Sequence, residues 1–174
     1  MKKILVVVDM QKDFVDGSLG TEEARAMIPA AVKKIKEFDG DIFVTFDTHF
    51  KEYLKTAEGR RLPVEHCIRH TAGWQLDGDI AKALEGKDYK KVEKLTFGSV
   101  DLPRQILERE GTEDISIELI GLCTDICVVS NALILKASFP EAPITVDSSC
   151  CAGVTPELHL KALDVMRSCQ IEVI

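Results

Sequence analysis

A run of five aliphatic residues near the N-terminus, Ile4 to Val8, constrains the fold of this chain more than any other feature. The run is rich in β-branched residues and does not alternate with polar positions, which is typical of a strand buried on both faces of a parallel sheet. Similar apolar runs recur along the chain, with helical patterns between them. Strand and helix alternate about six times, which predicts a single α/β domain over residues 1–174, a three-layer α/β/α sandwich around a mainly parallel sheet of about six strands.

The same patterns give approximate bounds for the elements. After the first strand, further strands are predicted at Asp41 to Phe46, Tyr89 to Val92, Ile115 to Ile120, Ile144 to Val146 and Ile171 to Ile174. Helices are predicted from Pro29, at the first helical turn, to Phe38, and over Ile80 to Leu84, Asp101 to Glu110, Asp125 to Ser138, and Thr155 through Met166. Two loops are predicted, Gln11 to Gly20 and the long segment Thr48 to Gln75, and a loop of that length is usually functional.

Charge and cysteine content exclude several classes of protein. The 22 basic and 29 acidic residues give a net charge of −7, and the basic residues are scattered, so we expect no nucleic-acid or membrane partner. The first apolar run is too short for an export signal or a membrane span, which predicts a cytoplasmic protein. Its six cysteines should therefore be reduced, and we assign the adjacent Cys150 and Cys151 a structural role.

Reactive side chains follow the predicted strands at their carboxyl ends. Asp9, Asp47 and Lys94 each follow a different strand, and the turn from Cys123 to Cys127 follows another. Each residue alone has a simple structural explanation, such as a turn residue or a solvated lysine. Because ligands of open α/β sheets bind at the carboxyl edge, their combination there indicates one active site.

Cys127 is the candidate nucleophile of this site. A cysteine at a strand-to-helix turn lies near the positive end of the helix dipole, which should favour the thiolate. Asp9 can accept the thiol proton, and Lys94 can hold that carboxylate and add positive charge beside the sulfur. The backbone N–H groups of Cys123 and Cys127 can stabilise an oxyanion. The alternative is that Cys127 is a small buried apolar residue.

The long loop contributes a second group of side chains. Asp47 and His49 form an Asp-x-His pair, and His66 follows later in the loop. A carboxylate and two imidazoles can bind one divalent ion, and Glu58, which lies between the histidines, is the fourth candidate ligand. The pair alone is a weak signal, but its position beside the candidate nucleophile predicts a metal that binds substrate or water.

Taken together, these residues resemble the isochorismatase-like cysteine hydrolases, and among them the nicotinamidases most closely. The resemblance covers nearly the whole chain and is carried by Val7 to Phe14, Thr45 to His49, His66-Cys67, Lys94, Gly121 to Val128, Asp147, and the helix start from Thr155 to His159.

The resemblance implies a catalytic triad of Asp9, Lys94 and Cys127. It also implies an oxyanion hole at the backbone amides of Cys123 and Cys127, with a non-proline cis peptide near Leu122-Cys123 that helps to aim them. In the implied reaction, the Cys127 thiolate attacks a carboxamide carbon, ammonia leaves, and water hydrolyses the thioester.

A divalent metal ion, often zinc with iron or manganese as alternatives, is implied on Asp47, His49 and His66. Some relatives use a second loop histidine as the fourth ligand and others a glutamate, and Glu58 is the candidate here. The residues assigned to substrate binding are aromatic: Phe14, Trp74 and Phe97. Phe14 matches the family residue that packs on the substrate ring, whereas Trp74 either lines the site or packs in the core.

Several alternatives stay open. The chain differs from many nicotinamidases at Thr48 and His70, which leaves the amide substrate open, so another small amide or a carbamoyl compound is an alternative. A vinyl ether, the substrate type of isochorismatases, is disfavoured because those chains generally lack residues such as Cys127 and His66. A non-catalytic metal- or ligand-binding protein is the third interpretation. The family also implies a homo-oligomer, either a dimer or a tetramer.

Overall fold

The computed structural model describes residues 1–111 and 114–174, in which six strands form one sheet with every pairing parallel. The strands are β1 (Lys2–Val8), β2 (Asp41–Asp47), β3 (Tyr89–Lys94), β4 (Ile115–Leu122), β5 (Ile144–Ala152) and β6 (Glu172–Val173). Their spatial order is β3-β2-β1-β4-β5-β6. The predicted α/β architecture is confirmed, including the number of strands.

Helices cover both faces of this sheet. They are α1 (Lys12–Val15), α2 (Glu22–Glu37), α3 (Ala57–Arg61), α4 (Gly78–Leu84), α5 (Leu102–Glu110), α6 (Val129–Ser138) and α7 (Pro156–Ser168), with a 3-10 turn at Tyr53–Lys55 and a π-helical turn at Thr124–Val128. Apolar residues of α1, α2 and α4 pack on one face, and those of α5, α6 and α7 pack on the other. No helix among residues 1–111 and 114–174 combines the length and apolar character that a bilayer crossing requires.

The central strand β1 explains why the first apolar run is continuous. Ile4, Val6 and Val8 belong to the core on the α5–α7 face, whereas Leu5 and Val7 belong to the core on the α2 face. All five side chains are fully buried. Burying each aliphatic side chain contributes about 1.5–3 kcal/mol, so a polar substitution on either face of β1 would be costly.

Helix α2 begins earlier than the sequence pattern predicts. The hydroxyl of Thr21 accepts a hydrogen bond from the N–H of Ala24 at 3.0 Å, and two glutamates occupy the first turn, where the helix dipole favours them. Pro29 therefore lies inside the helix rather than in its first turn, and the carbonyl of Arg25 receives no N–H from it. The local preference of proline for a helix start was outweighed by a good cap eight residues earlier.

Several other element bounds also differ from prediction. Strand β5 continues beyond Val146 to Ala152, because Asp147 forms an ion pair with Lys34 and the backbone N–H of Ser148 bonds to the carbonyl of Ile174 at 2.7 Å. The polar residues that were expected to end the strand thus find partners within it. Both predicted loops contain helical segments: α1 lies within Gln11 to Gly20, and the 3-10 turn and α3 lie within Thr48 to Gln75.

The strand order places the ends of β1 and β4 at the centre of the carboxyl edge. The connections run from β1 through β2 to β3 on one side, and then return to β4 on the other side of β1. Such a reversal opens a crevice beyond the strand ends. Asp9 follows β1 and the turn from Cys123 to Cys127 follows β4, so both reach this crevice.

Candidate active site

Asp9, Lys94 and Cys127 meet at the carboxyl edge although they come from distant parts of the chain. The Nζ atom of Lys94 lies 2.5 Å from Oδ2 of Asp9 and 3.5 Å from Sγ of Cys127. Thr45 donates its hydroxyl to Oδ1 of Asp9 at 2.6 Å, and Lys94 also donates to the carbonyl of Thr96 at 3.0 Å. The carboxylate, the ammonium and the sulfur are therefore fixed relative to one another, with the first two almost completely excluded from water.

The charge balance around Cys127 differs from the expected stabilisation of a thiolate. Burial raises the pKa of the Cys127 thiol well above its usual range, the nearby charge of Asp9 raises it further, and Lys94 only partly opposes both. The cause is desolvation, which the helix dipole argument leaves out. Burial also raises the pKa of Asp9, and Lys94 and Thr45 act against that shift. The free site thus favours a neutral thiol beside a carboxylate of increased basicity.

The turn that carries Cys127 has an unusual backbone. The Leu122–Cys123 peptide is cis, and Gly121 has a φ of 132°, with the backbone of Val8 where a Cβ atom would lie. Only glycine allows β4 to end so close to β1. The expected cis peptide is therefore present.

One backbone amide of this turn, that of Cys123, is available to a ligand. Among the described residues, no hydrogen-bond acceptor is found for the N–H of Cys123. In the following π-helical turn, the N–H groups of Ile126 and Val128 both donate to the carbonyl of Cys123, at 3.1 Å and 3.0 Å. This arrangement is suited to the predicted oxyanion hole.

The four predicted metal ligands also lie together. Oδ2 of Asp47 is 3.0 Å from Nε2 of His49 and 3.5 Å from Nε2 of His66. Oε1 of Glu58 is 3.6 Å and 3.7 Å from the same two nitrogen atoms. Potential ligand atoms of Asp47, His49 and His66 all lie within 4.8 Å of one another. Helix α3, capped by Thr56, brings Glu58 to this cluster.

The chemistry of this donor set fits a divalent cation. Nε2 of His49 is buried without a hydrogen-bond partner, which is costly unless a ligand occupies it. Nδ1 of His66 lies 2.8 Å from the carbonyl of Val64, so a proton on Nδ1 leaves the Nε2 lone pair free for a metal. Although burial opposes its charge, the neighbouring imidazoles of His49 and His66 and the charge of Lys94 hold the pKa of Asp47 well below its usual range. Two imidazoles and two carboxylates are a suitable set for zinc.

A cavity of about 310 Å³ opens onto both groups of residues. Cys127, Asp47, Glu58 and His66 contribute to its wall, and the rest is mostly apolar. Among the described residues, no lysine or arginine lines it. The cavity therefore combines a nucleophile and possible metal ligands with a surface suited to an uncharged, largely apolar molecule.

Two of the three predicted substrate-binding aromatic residues line this cavity, and one does not. Phe14 and Phe97 contribute to the wall, and the ring of Phe14 lies 5.6 Å from that of His66. Trp74 lies outside the lining: its ring packs against Phe46, and its indole N–H donates to the hydroxyl of Thr48 at 2.9 Å. Of the two alternatives for Trp74, its position favours packing in the core, where that hydrogen bond holds it.

Sequence reasoning missed two polar residues that support the site. Asn131 is fully buried and donates to the carbonyl of Cys127 at 2.8 Å, while its Oδ1 accepts the N–H of Ser99 at 2.9 Å. Thr45, which bonds to Asp9, lies two residues before Asp47 and so points to the same face of β2. The spacing of Thr45 could have been recognised from the sequence, as could the one-turn separation of Asn131 from Cys127.

Comparison with known proteins agrees with this geometry. The isochorismatase domain model matches residues 3–174. An isochorismatase family protein of Bacillus subtilis (strain 168) is 32% identical over 146 residues, which cover 76% of this chain and 78% of that protein. The crystal structure of a nicotinamidase from Bacillus subtilis has a TM-score of 0.86 and 27% identity, with 99% of each chain covered. A pyrazinamidase of Pyrococcus horikoshii, solved in complex with zinc, has a TM-score of 0.82 and 25% identity over 100% of this chain and 99% of that one.

Proposed function

The chain belongs to the isochorismatase domain family, and from this premise we propose that it is a metal-dependent nicotinamidase that hydrolyses nicotinamide to nicotinate and ammonia through a Cys127 thioester. The observation that carries the proposal is the contact of Asp9, Lys94 and Cys127 beside a cavity that also contains metal-ligand side chains. A buried acid–base pair with a thiol within reach supports acyl transfer rather than simple ligand binding.

In the proposed first half-reaction, Asp9 removes the proton from Cys127 as the sulfur attacks the carboxamide carbon. Its raised pKa makes Asp9 a stronger base than an exposed aspartate, which compensates for the raised pKa of the thiol. The backbone N–H groups of Cys123 and Cys127 donate to the oxyanion. Protonated Asp9 then returns its proton to the departing nitrogen, and ammonia leaves the thioester.

In the second half-reaction, Asp9 removes a proton from a water molecule that attacks the thioester carbon. The carbon–sulfur bond breaks, and the sulfur regains a proton from Asp9. The nicotinic acid that forms loses its carboxyl proton to solvent and leaves as nicotinate. Lys94 stays in contact with both Asp9 and Cys127, so its charge stabilises each state in which one of them is negative.

Asp47, His49, His66 and Glu58 are the residues that would hold the metal in this proposal. Bound there, a zinc ion supplies a Lewis acid that can accept the pyridine nitrogen of the substrate or a water molecule. Iron and manganese are the alternatives to zinc. Phe14, which packs on His66, is placed by the proposal against the substrate ring.

The lining of the cavity favours an uncharged aromatic amide over the alternative carbamoyl compounds that carry a carboxylate. No lysine or arginine of the described residues lines the cavity, so a free carboxylate would meet no cationic side chain there. A pyridine ring satisfies the apolar wall and can still offer one nitrogen to a metal. Nicotinamide is for this reason the first substrate to test.

A substrate panel with matched cysteine variants tests the proposal. Purified protein loaded with zinc, iron or manganese is incubated with nicotinamide, pyrazinamide and a carboxylate-bearing carbamoyl compound, and ammonia is measured. We expect nicotinamide to be hydrolysed, Cys127→Ala to reduce turnover to background, and Cys169→Ala, an exposed control, to retain it. Release of ammonia only from the carbamoyl compound would favour the alternative substrate, and no release from any amide with any metal would favour a non-catalytic protein.

The assembly state is a further part of the proposal. Homo-oligomerisation is expected from the family, and size-exclusion chromatography with light scattering measures it directly. A monomer at micromolar concentration would contradict that expectation without affecting the proposed chemistry.

A further inference from the structure

We propose that Asp13 is a positioning residue for the metal site, holding the peptide of Cys67 so that His49 and His66 are pre-arranged for the ion. The inference rests on the metal-dependent function proposed above. Asp13 is not itself a candidate ligand, and it lies in α1, far from both histidines in sequence.

The carboxylate of Asp13 binds the backbone directly after a metal-ligand histidine. Its Oδ2 accepts the N–H of Cys67 at 2.8 Å, and its own backbone N–H donates to the carbonyl of Gly73 at 3.0 Å. Asp13 therefore joins α1 to two points of the long loop that follows β2. Because the carboxylate is half-buried and charged, its hydrogen bond to the N–H of Cys67 is of the stronger kind.

The backbone carbonyl of Cys67, in the next peptide unit, contacts the other histidine. The carbonyl of Cys67 accepts the N–H of His49 at 2.9 Å, and His49 forms an isolated parallel bridge with Ile68. Cys67 thus follows one ligand directly and fixes the backbone of the other. A shift of the Cys67 backbone would therefore be expected to move the two histidines relative to each other.

Cys67 needs such support because its backbone conformation is unfavourable. Its φ is 46°, in the left-handed region that non-glycine residues rarely adopt, and its side chain is fully buried. Strained conformations of this kind persist only where surrounding contacts impose them. The bond from Asp13 is one such contact, and it acts on the N–H of the strained residue itself.

Packing around Asp13 leaves little freedom for its carboxylate. A Cβ atom added at Gly73 would overlap that carboxylate, and Gly73 does not have the positive φ that would itself exclude alanine. The next residue of α1, Phe14, packs its ring against His66. Helix α1 therefore contacts the metal-site loop through consecutive residues, one polar and one aromatic.

Zinc affinity of the metal-free protein tests the proposal without reference to activity. We would measure it by competition with a chromophoric chelator for the wild type and for Asp13→Asn, Asp13→Ala and Gly73→Ala. Loss of a residue that orients a ligand typically lowers metal affinity by about 10–100-fold, which is the expected effect of Asp13→Ala and Gly73→Ala. Asp13→Asn, whose amide oxygen can still accept the N–H, should lose less.

Asp16→Asn is the matched control, because Asp16 lies beside α1 but forms its ion pair with Lys12 at the surface. We expect its zinc affinity to stay within about twofold of the wild type, as for most surface substitutions. The absorption spectrum of bound Co²⁺ provides a second measurement, and an altered ligand field in Gly73→Ala would support a shifted histidine.

The unfolding midpoint of each metal-free variant separates positioning from general stability. If Asp13→Ala and Gly73→Ala lose stability but bind zinc as tightly as the wild type, the proposal is overturned. If Asp13→Ala does not fold, the zinc affinities of Gly73→Ala and Asp13→Asn decide whether Asp13 positions the metal site. Failure of the wild type to bind zinc, iron or manganese would instead overturn the proposed metal site, so the two hypotheses fail in different ways.

Discussion

Two lysines of this protein each lie between two carboxylates, yet only one of them is placed for chemistry. Nζ of Lys94 is 2.5 Å from Asp9 and 3.6 Å from Asp47. Nζ of Lys34, on helix α2, is 2.5 Å from Glu118 and 2.9 Å from Asp147, on strands β4 and β5. The side chain of Lys94 is 1% exposed, whereas that of Lys34 is 27% exposed.

The difference in burial gives the carboxylates opposite properties. At Asp147, hydrogen bonds from Ser149 and Lys34 overcome the effect of burial and lower the pKa, as expected for an ordinary ion pair. At Asp9, desolvation prevails over Lys94 and raises the pKa. A lysine beside a carboxylate is therefore not a sufficient sign of function. The informative combination is a paired carboxylate that remains basic and lies beside a thiol.

Replacement of Lys94 and of Lys34 by methionine tests this comparison, and Lys94→Met should cause the largest loss of stability and activity. Lys94→Met leaves Asp9 and Asp47 buried without their cation, which we expect to destabilise the protein by about 3–5 kcal/mol. Turnover of nicotinamide should fall at least about 10⁴-fold, because both acid–base catalysis and electrostatic stabilisation depend on this charge. Denaturant unfolding and steady-state kinetics measure the two effects.

Lys34→Met is the matched control for that variant. Its ion pairs are partly solvated, so we expect a loss of stability of no more than about 1 kcal/mol. Its kcat/KM should remain within about threefold of the wild type, as for a substitution outside the site. A loss of activity comparable to that of Lys94→Met would show that the two lysines do not differ as proposed.

Replacement of Asp9 and Asp147 by asparagine tests which of the two paired carboxylates acts as a base. The expected loss of activity is smaller than for Lys94→Met. Asp9→Asn keeps an acceptor for the hydroxyl of Thr45 but cannot take the thiol proton, so kcat should fall about 10³-fold, within the usual range for acid–base catalysis. Asp147→Asn should leave kcat unchanged within about threefold. Zinc content is measured for both, because equal loading excludes an indirect effect through Asp47. Asp9→Asn activity close to the wild type would contradict the role of Asp9 as the base.

The sequence predicted which side chains lie together wherever strand ends determine their positions. In a parallel sheet, residues that end neighbouring strands must share one edge, so Asp9, Asp47 and Lys94 could be placed together without coordinates. The continuous apolar run of β1 likewise predicted burial on both faces, and the structure confirms it. These features depend on local pattern and on topology rules that leave few alternatives.

Properties that depend on long-range packing could not be predicted in the same way. The direction of the Cys127 pKa follows from how completely the folded chain excludes water, and no spacing rule gives that. The position of Trp74 depends on a hydrogen bond to Thr48 across the long loop. Helix α2 passes through Pro29 because its cap and its core contacts outweigh one lost hydrogen bond. In each case the local signal was real, and tertiary contacts decided the outcome.

The pH dependence of activity and stability compares Asp9 and Asp147 directly, and it is the prediction with the smallest expected effect. The pKa of Asp9 is raised above its ordinary value of 3.8, so kcat/KM, which needs ionised Asp9, should fall with decreasing pH at a point above 3.8.

The pKa of Asp147 is lowered, so its stabilising contribution is fully present above 3.8 and disappears only as the pH falls through its folded-state pKa below that value. The stability difference between the wild type and Asp147→Asn, at most about 1 kcal/mol, should therefore stay constant above pH 3.8 and shrink below it. Bound zinc is measured at each pH because metal release would produce an acid limb of its own. If zinc is retained and kcat/KM falls only below pH 3.8, the raised pKa of Asp9 is contradicted. If the stability difference already shrinks above pH 3.8, the lowered pKa of Asp147 is contradicted.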